Sequence, residues 1–435
     1  MPHKTLAKSI CVICCLFLSA ADIQAQTDII QQPDTLRLVV VGAQKMFLEK
    51  NLSLLAQHYN IQSNQALVEQ ARKWENPSLS TNQNLYNSQE GFFQHGTASD
   101  GTPIGEVYAD VQQLIKTANK RGKQIAIAKT NVNIAEWQFK STMRSLRLTL
   151  LTDFYTIAQL QGNARLFNDN MQRLNKLVNA MQAQLQAGDI AKKEYLRVQA
   201  LIVNLQQDVV DNIKNLSDAE SELKTLLRVT GNTFIQPVIQ DTTTNQLPSL
   251  NIAQLVDSAR QYNTDYQSEV YQLQLQNQTL RLQKALAVPD VTVGVNFDQH
   301  ATYVPNFFGL DIGLPLPLWD RNQGNIKSAR FQVKQEESNM QEADIKLQND
   351  VSNAYEKLLF SAKLNNSTNA QFYKDYQQIY NNIVEAYDKR QISLLEFLDY
   401  FGDYENTRQK ELQQILDYQV AKIDLNDVIG MDIVH

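Results

Sequence analysis

The residue types that most often hold metals or act as nucleophiles are scarce in this 435-residue chain, which has three cysteines and five histidines. Cys11, Cys14 and Cys15 could supply thiolates, but all three fall inside the apolar run from Ile10 to Leu18. Lys4 and Lys8 precede that run and Ser19, Ala20, Ala21 and Ala25 follow it, which is the layout of a secretory signal peptide and too short to span a bilayer. Cleavage after Ala21 or Ala25 would remove every thiol, so the mature chain is expected to have no disulfide, no cysteine metal site and no lipid-bearing cysteine. His3 lies in the same segment, and His58, His95, His300 and His435 are scattered. His95 and His300 fall in two polar loops, where an imidazole is more often solvated than coordinating. No G-x-S-x-G, P-loop, H-E-x-x-H or C-x-x-C pattern occurs in the mature chain. We therefore expect no catalytic residue, no resident metal and no cofactor.

A different kind of chemistry is written in Gly313 to Ile326, GLPLPLWDRNQGNI. Leucine and proline alternate with the period of a strand, yet Pro315 and Pro317 each lack the N–H that a ladder needs. Alternate residues of an antiparallel strand point their N–H groups to the same neighbour, so the two prolines end pairing on one side only. Proline also keeps the chain out of helix until it is past. Trp319 suits a membrane–water boundary. Asp320 to Gly324 form a joint from which a helix leaves.

Composition fits long elements. Fifteen glycines and ten prolines are few for so much chain, and a net charge of -6 gives no basic footprint, which argues against nucleic acid as a partner. The chain is also an internal repeat. ANKRGKQIAIAKTNV (118 to 132) aligns with WDRNQGNIKSARFQV (319 to 333), Gly122 over Gly324, at an offset of 202. LQAGDIAKKEYLRVQ (185 to 199) aligns with YDKRQISLLEFLDYF (387 to 401), Gly188 over Arg390, at the same offset. Upstream, ENPSLSTNQ (75 to 83) matches AVPDVTVGV (287 to 295) at an offset of 212. This gives a first repeat over 26–229, a linker over 230–250 and a second repeat over 251–435.

Between the two motifs of the first repeat, apolar residues from Leu146 through Phe154, Leu160, Phe167 and Leu174 to Leu185 step by three or four, a mean of about 3.5, the coiled-coil period. A helix filling that interval is roughly 100 Å long. Gly188 is the C-cap and turn, after which Leu201, Leu205, Val209, Ile213, Leu216 and Leu223 resume the pattern. The expectation is a helical hairpin over 123–229 and a second over 325–430, the latter interrupted by NNSTNA at 365 to 370. Two strands precede each hairpin, at about 77–86 and 106–113, then 289–298 and 306–318, the last two alternating large aliphatic with polar or small residues. No stretch beyond the signal segment holds 18 consecutive apolar residues. A small soluble sheet packed on the helices would fit this alternation, as would membrane strands. In a membrane, four strands cannot close a barrel, and open edges in lipid are not tolerated. Several chains would then share one barrel.

The duplicated plan, KRG at 120 to 122, the proline-led NPSL and VPDVTVG, and the two turn motifs resemble the TolC family of outer membrane factors, over nearly the whole mature chain. LPLPLWDRNQGNI is most similar to the heavy-metal efflux branch, the CzcC and CusC type. The resemblance implies an α + β membrane protein. In it, a homotrimer pools four transmembrane strands per chain into a twelve-stranded barrel in the outer membrane lipid, continued by a long α-helical coiled-coil barrel through the periplasm. It implies a passive exit channel for heavy-metal cations, docked onto a periplasmic adaptor and an inner membrane pump of the resistance-nodulation-division (RND) type. The runner-up is a drug-efflux or type I secretion channel. A periplasmic coiled-coil adaptor, the reading from another class, would carry one hairpin rather than two.

The same resemblance makes the hairpin turns the periplasmic tip and gate, at Gly188 to Leu196 and Arg390 to Asp399. Family acidic positions fall on Glu194, Glu396 and Asp399, and a gating tyrosine on Tyr387. Three copies of such an acid would form a ring that attracts cations, although Glu194 and Glu396 also sit where acids favour a helix N-terminus. Arg390 replaces the usual glycine, which makes a left-handed turn less comfortable there. Pro315, Pro317, Trp319 and Gly324 mark the barrel-to-helix joint.

Overall fold

A computed structural model describes residues 34–88, 91–93, 96–97, 99–101, 103–239, 250–299, 304–365 and 367–434. The expected signal peptide (1–25) lies outside the described residues, as do His95, His300 and His435. In chain order the elements are β1 (Thr35–Leu38), α1 (Val40–Lys50), α2 (Leu52–Ala71), β2 (Ser78–Gln83), four two-residue strands β3 (Tyr86–Asn87), β4 (Gly91–Phe92), β5 (Gly96–Thr97) and β6 (Pro103–Ile104), then β7 (Val107–Ile115), α3 (Lys120–Ala187) and α4 (Lys192–Leu227). The second half comprises β8 (Phe234–Pro237), α5 (Ile252–Tyr262), α6 (Thr264–Leu286), β9 (Val291–Asp298), β10 (Phe307–Gly313), α7 (Gln323–Leu364), α8 (Ser367–Asp388) and α9 (Leu394–Ile429).

The 3.5-residue period produces α3, a helix of 68 residues, about 100 Å at 1.5 Å per residue. Its seam buries Leu150, Phe154, Ile157, Leu160, Phe167, Leu174 and Met181. Polar Asp153, Asn163 and Asn170 are buried along the same helix, a pattern that coiled coils use to fix register at a cost in stability. The second hairpin, expected over 325–430, is broken where its apolar stripe is interrupted. Its descending arm is split into α7 and α8, with Asn365 closing α7 through its N–H to Ser361 O. Asn365 is of a residue type whose short polar side chain competes with helix for backbone hydrogen bonds.

Four strands form one antiparallel sheet in the order β10-β9-β7-β2. Register places Leu310, Val295, Val111 and Leu79 in one row across it, all exposed, at 67, 59, 43 and 68 %. The adjacent row on the other face is Gly309, Asn296, Asp110 and Ser80. One face is therefore aliphatic and open, the other polar, which is the alternation a lipid-facing strand requires. The outermost strands, β2 and β10, each have one unpaired edge within the chain. Observed strand ends differ from the expected ones: β10 stops at Gly313 rather than 318, because Pro315 and Pro317 cannot donate, and β2 ends at Gln83 rather than 86. Among the described residues, no helix is long and apolar enough to cross a membrane.

The segment expected to be a plain linker, 230–250, contributes β8, which pairs in parallel with β1 through Leu36 and Ile235. Fully buried Ile235 joins Phe47, Phe154, Ile157, Leu223 and Leu227 in a core beside the first hairpin. A matching core beside the second hairpin holds Leu255, Ala259, Val351, Leu358, Leu425 and Ile429. A third core, toward the hairpin turns, combines Phe167, Leu174, Met181, Val198 and Leu205 with Tyr380, Phe397, Phe401 and Tyr404, so that the repeats pack on each other here as well as through the sheet.

Candidate functional site

Two places in this frame carry the candidate residues: the joint between sheet and long helices, and the hairpin turns. At the first joint Ala118 and Asn119 take left-handed backbone conformations, which swing the chain from β7 into α3. A side chain on Gly122 would run into that of Asn119, which would have to move aside. Lys120, buried to 3 % exposure, donates from Nζ to Val288 O and to Asp290 Oδ1, each at 2.6 Å. The Thr117 N–H donates to Asp290 Oδ1 at 2.8 Å, and its hydroxyl to Pro289 O at 2.6 Å. Burial pushes the Asp290 carboxyl up, but the hydrogen bonds from Lys120 and Thr117 outweigh it and hold the group below its usual range. The two repeats are thus fastened together just below the sheet.

The second joint lies open. Pro315 and Pro317 sit in non-strand chain after β10, flanked by exposed Leu314, Leu316 and Leu318, and Trp319 is 86 % exposed. Left-handed Asn322 starts α7, and its Nδ2 donates to Gln283 O at 2.7 Å. Asp320 Oδ1 accepts from Asn322 N at 2.8 Å. A side chain on Gly324 would meet only open space, so within one chain nothing demands glycine there.

At the turns, Gly188 (φ 81°) and Arg390 (φ 56°) both close their helices in the left-handed conformation. Their hydrogen bonds match: Gly188 N to Leu185 O and Asp189 N to Gln184 O in one, Arg390 N to Tyr387 O and Gln391 N to Ala386 O in the other. The strain expected at Arg390 is thus accepted without changing the turn. Glu194 lies beside Tyr387, whose ring stacks on Phe397 with centroids 4.6 Å apart. Burial pushes the Tyr387 hydroxyl up, and Glu194 and Asp388 add to it. Glu396 sits at the third position of α9, where its N–H donates to the Ser393 hydroxyl that caps the helix. Glu396 and Asp399 are exposed and three residues apart, on one face that continues to exposed Asp403. Asp403 was not picked out by the sequence reading, although its helical spacing would have found it. The structure therefore brings together Glu194 with Tyr387, and Glu396 with Asp399, as two separate pairs. Between the two turns lies a cleft of about 540 Å³, lined by Arg173, Lys176, Asp189, Asp388 and Arg390 over an apolar floor that includes Met181 and Phe397. Among the described residues no group of three or more His, Cys, Asp or Glu side chains could hold a metal ion.

With this geometry in view, comparison with known proteins is decisive at the level of family. The outer membrane efflux protein family matches residues 44–227 and 255–431, one match on each repeat. The chain belongs to that family. Membership places it in the outer membrane, and the long hairpins are its large periplasmic portion. The cobalt-zinc-cadmium resistance protein CzcC of Cupriavidus metallidurans is 20 % identical over 292 residues, which is 67 % of this chain and 66 % of the relative, so the chain spans just under two thirds of that relative's length. Among solved structures, CusC superposes with a TM-score of 0.70 at 16 % identity, covering 90 % of this chain and 92 % of the other. The outer-membrane channel OprN gives 0.73 at 12 % identity, covering 90 % and 89 %. The open state of the Neisseria gonorrhoeae MtrE channel gives 0.69 at 15 %, covering 91 % and 89 %. The fold is TolC-like: four strands per chain feeding two long helical hairpins.

Proposed function

We propose that this family member is the exit duct of a tripartite efflux system, carrying its cargo passively from the periplasm to the exterior. The observation that supports this best is the sheet itself. Four strands with an aliphatic open face and two unpaired edges, β2 and β10, cannot stand alone in lipid, because every backbone group there needs a partner. Three copies joined edge to edge give twelve strands, enough to close a barrel around a bore. Below it the hairpins continue the wall of the duct. The turns form its periplasmic end, where Tyr387 with Glu194, and Glu396 with Asp399, line the gate. The cleft between the turns offers charges of both signs over an apolar floor, a fit for the helical tip of an adaptor that links the duct to an RND-type inner membrane pump.

Heavy-metal cations are the cargo we favour, on the likeness to the cobalt-zinc-cadmium resistance protein. They are cargo rather than bound cofactors, so selection rests with pump and adaptor, and acids at the gate favour cations by charge alone. A drug-efflux or type I secretion duct shares every structural feature above. Deletion of the gene distinguishes them: lost tolerance to zinc, copper or cobalt supports metal export, and lost tolerance to drugs alone rejects it. For the gate, Asp399→Asn is expected to lower single-channel cation selectivity, read as the reversal potential in a salt gradient. An unchanged reversal potential removes Asp399 from the gate.

A further inference from the structure

The contact between the two hairpins of one chain is mainly apolar, Phe167 and Leu174 of the first packing with Phe401 and the stacked Tyr380 and Tyr404, centroids 3.7 Å apart, of the second. An ionisable residue is built into it. Glu405 of α9 is 9 % exposed, and its charge-bearing neighbours come from every helix packed around it. From α3 comes Asn170, 1 % exposed, close enough to steady the carboxylate but with Nδ2 lacking a well-formed hydrogen bond. From α4 comes Asp208. From α8 comes Tyr380, whose ring lies 5.7 Å from the guanidinium of Arg173 on α3. On its own helix, Gln409 Nε2 donates to Oε1 at 3.4 Å. Among the described residues no lysine or arginine pairs with Glu405.

The repeat sharpens the point. At the offset of 202, Asn170 corresponds to Phe372 and Glu405 to Val203. Those counterparts are apolar and exposed, at 51 and 61 %. The same two positions are thus polar where the hairpins of one chain meet, and apolar where the second pair faces outward. Polar residues weaken a helical seam and make it separable, while an apolar pair holds it.

We propose that Glu405 and Asn170 form a proton-controlled joint between the two hairpins of each chain. With Glu405 protonated, carboxyl and amide pair across the seam and hold it shut; when the proton leaves to solvent, an unpaired charge remains inside an apolar contact and favours separation of the hairpins.

Burial and then Asp208 push the Glu405 carboxyl up, Asn170 opposes them, and the group settles at about 7. In an open seam it would be hydrated and return toward the ordinary 4.5. The closed seam therefore binds the proton more tightly. Between these two values, each unit of rising pH favours the open seam by about tenfold, and below them the preference is constant. The joint is a property of one chain. It needs the duct reading only for its consequence, a periplasmic end that opens with rising pH.

The test is a distance measurement by electron spin labels on cysteines introduced at exposed Asp169 and Asn406, on either side of the seam, in the full processed chain in nanodiscs. No native cysteine lies beyond residue 15. The wild-type background should show the labels separating between pH 5 and 8, with a midpoint near 7. Glu405→Gln, which keeps the shape and the amide pairing but cannot ionise, should hold the pH 5 distance throughout. Asp208→Asn, at an exposed position, should move the midpoint to lower pH and decides the matter if Glu405→Gln does not fold. A wild-type distance that ignores pH, or an Asp208→Asn midpoint that does not move, overturns the joint, as does a Glu405→Gln response like that of wild type. Conduction is not read, so a failure of the duct reading is a separate result.

Discussion

The first repeat and the second are built to one plan, yet at equivalent places they solve different problems. At the first joint, Lys120 reaches across to Asp290 and the Val288 carbonyl and disappears from solvent. At the second, the equivalent residue is Asn322, which bonds only to its own repeat, and Trp319 and the leucines before it stand in the open. The difference teaches where a chain ends its own business. Just below the sheet the contact between first and second repeat is closed by charge and hydrogen bonds, while the related surface at the second joint is left apolar and open.

The strongest way to break this comparison is to cut the closed joint. Lys120→Met should cost about 3 kcal/mol, the low end for breaking a buried ion pair because the Asp290 left behind is only half-buried, read as a shift in denaturant midpoint. Asn322→Ala, at the open joint, should cost about 1–2 kcal/mol, for exposed hydrogen bonds to Gln283 and Asn325 and a left-handed backbone that alanine fits less well. Equal losses would show that the two joints are not different in kind. The acid side has a fixed sign: the Asp290 carboxyl is held below its unfolded value, so its contribution is present above about pH 4 and is lost as pH falls through the folded value. Lys120→Met should flatten that acid limb.

How far the sequence revealed this molecule follows from which signals are local. The 3.5-residue period, the left-handed turn at Gly188, the proline stop after Gly313 and the matching offsets are each carried within a few tens of residues, and all are visible in the chain. Partnerships at long range are not. Lys120 and Asp290 are 170 residues apart, and Thr35 pairs with Phe234 across the segment that reads as a linker. Polar residues inside the coiled coil were missed for a different reason. Asp153, Asn163, Asn170 and Glu405 look like solvated positions flanking an apolar stripe, and only the third dimension shows that two helices cover them. Glu194, Glu396 and Asp399 are singled out only by resemblance, and in the structure Glu194 lies beside Tyr387 while Glu396 and Asp399 share a face of α9.

The hairpin interiors give a second, smaller contrast. Asp153 in the first repeat has Oδ2 without a partner, and burial followed by the charge of Glu222 pushes its carboxyl up to about 7. Its counterpart in the second repeat, Tyr355, donates its hydroxyl to Leu250 O at 3.2 Å. Because the Asp153 value is raised above its unfolded one, its contribution to stability falls as pH rises from about 4 to 7. Asp153→Asn should remove that decline and gain about 1–3 kcal/mol at pH 8, the range for relieving a poorly satisfied buried polar group. Urea midpoints at pH 5 and 8 measure it.

The turns give the smallest contrast and the cleanest. Gly188 and Arg390 hold the same left-handed backbone and the same hydrogen bonds, but a side chain in that conformation costs roughly 1–2 kcal/mol. Arg390→Gly should therefore stabilise the second hairpin, although glycine gives back part of the gain through its freer unfolded chain; a net of about 0.5–1 kcal/mol is expected. Gly188→Arg should lose a similar amount. If Arg390→Gly is neutral or destabilising, the guanidinium is held in the cleft by contacts that offset the backbone strain, and its place beside Asp388 and Asp189 then marks it as a residue kept for docking rather than for the turn.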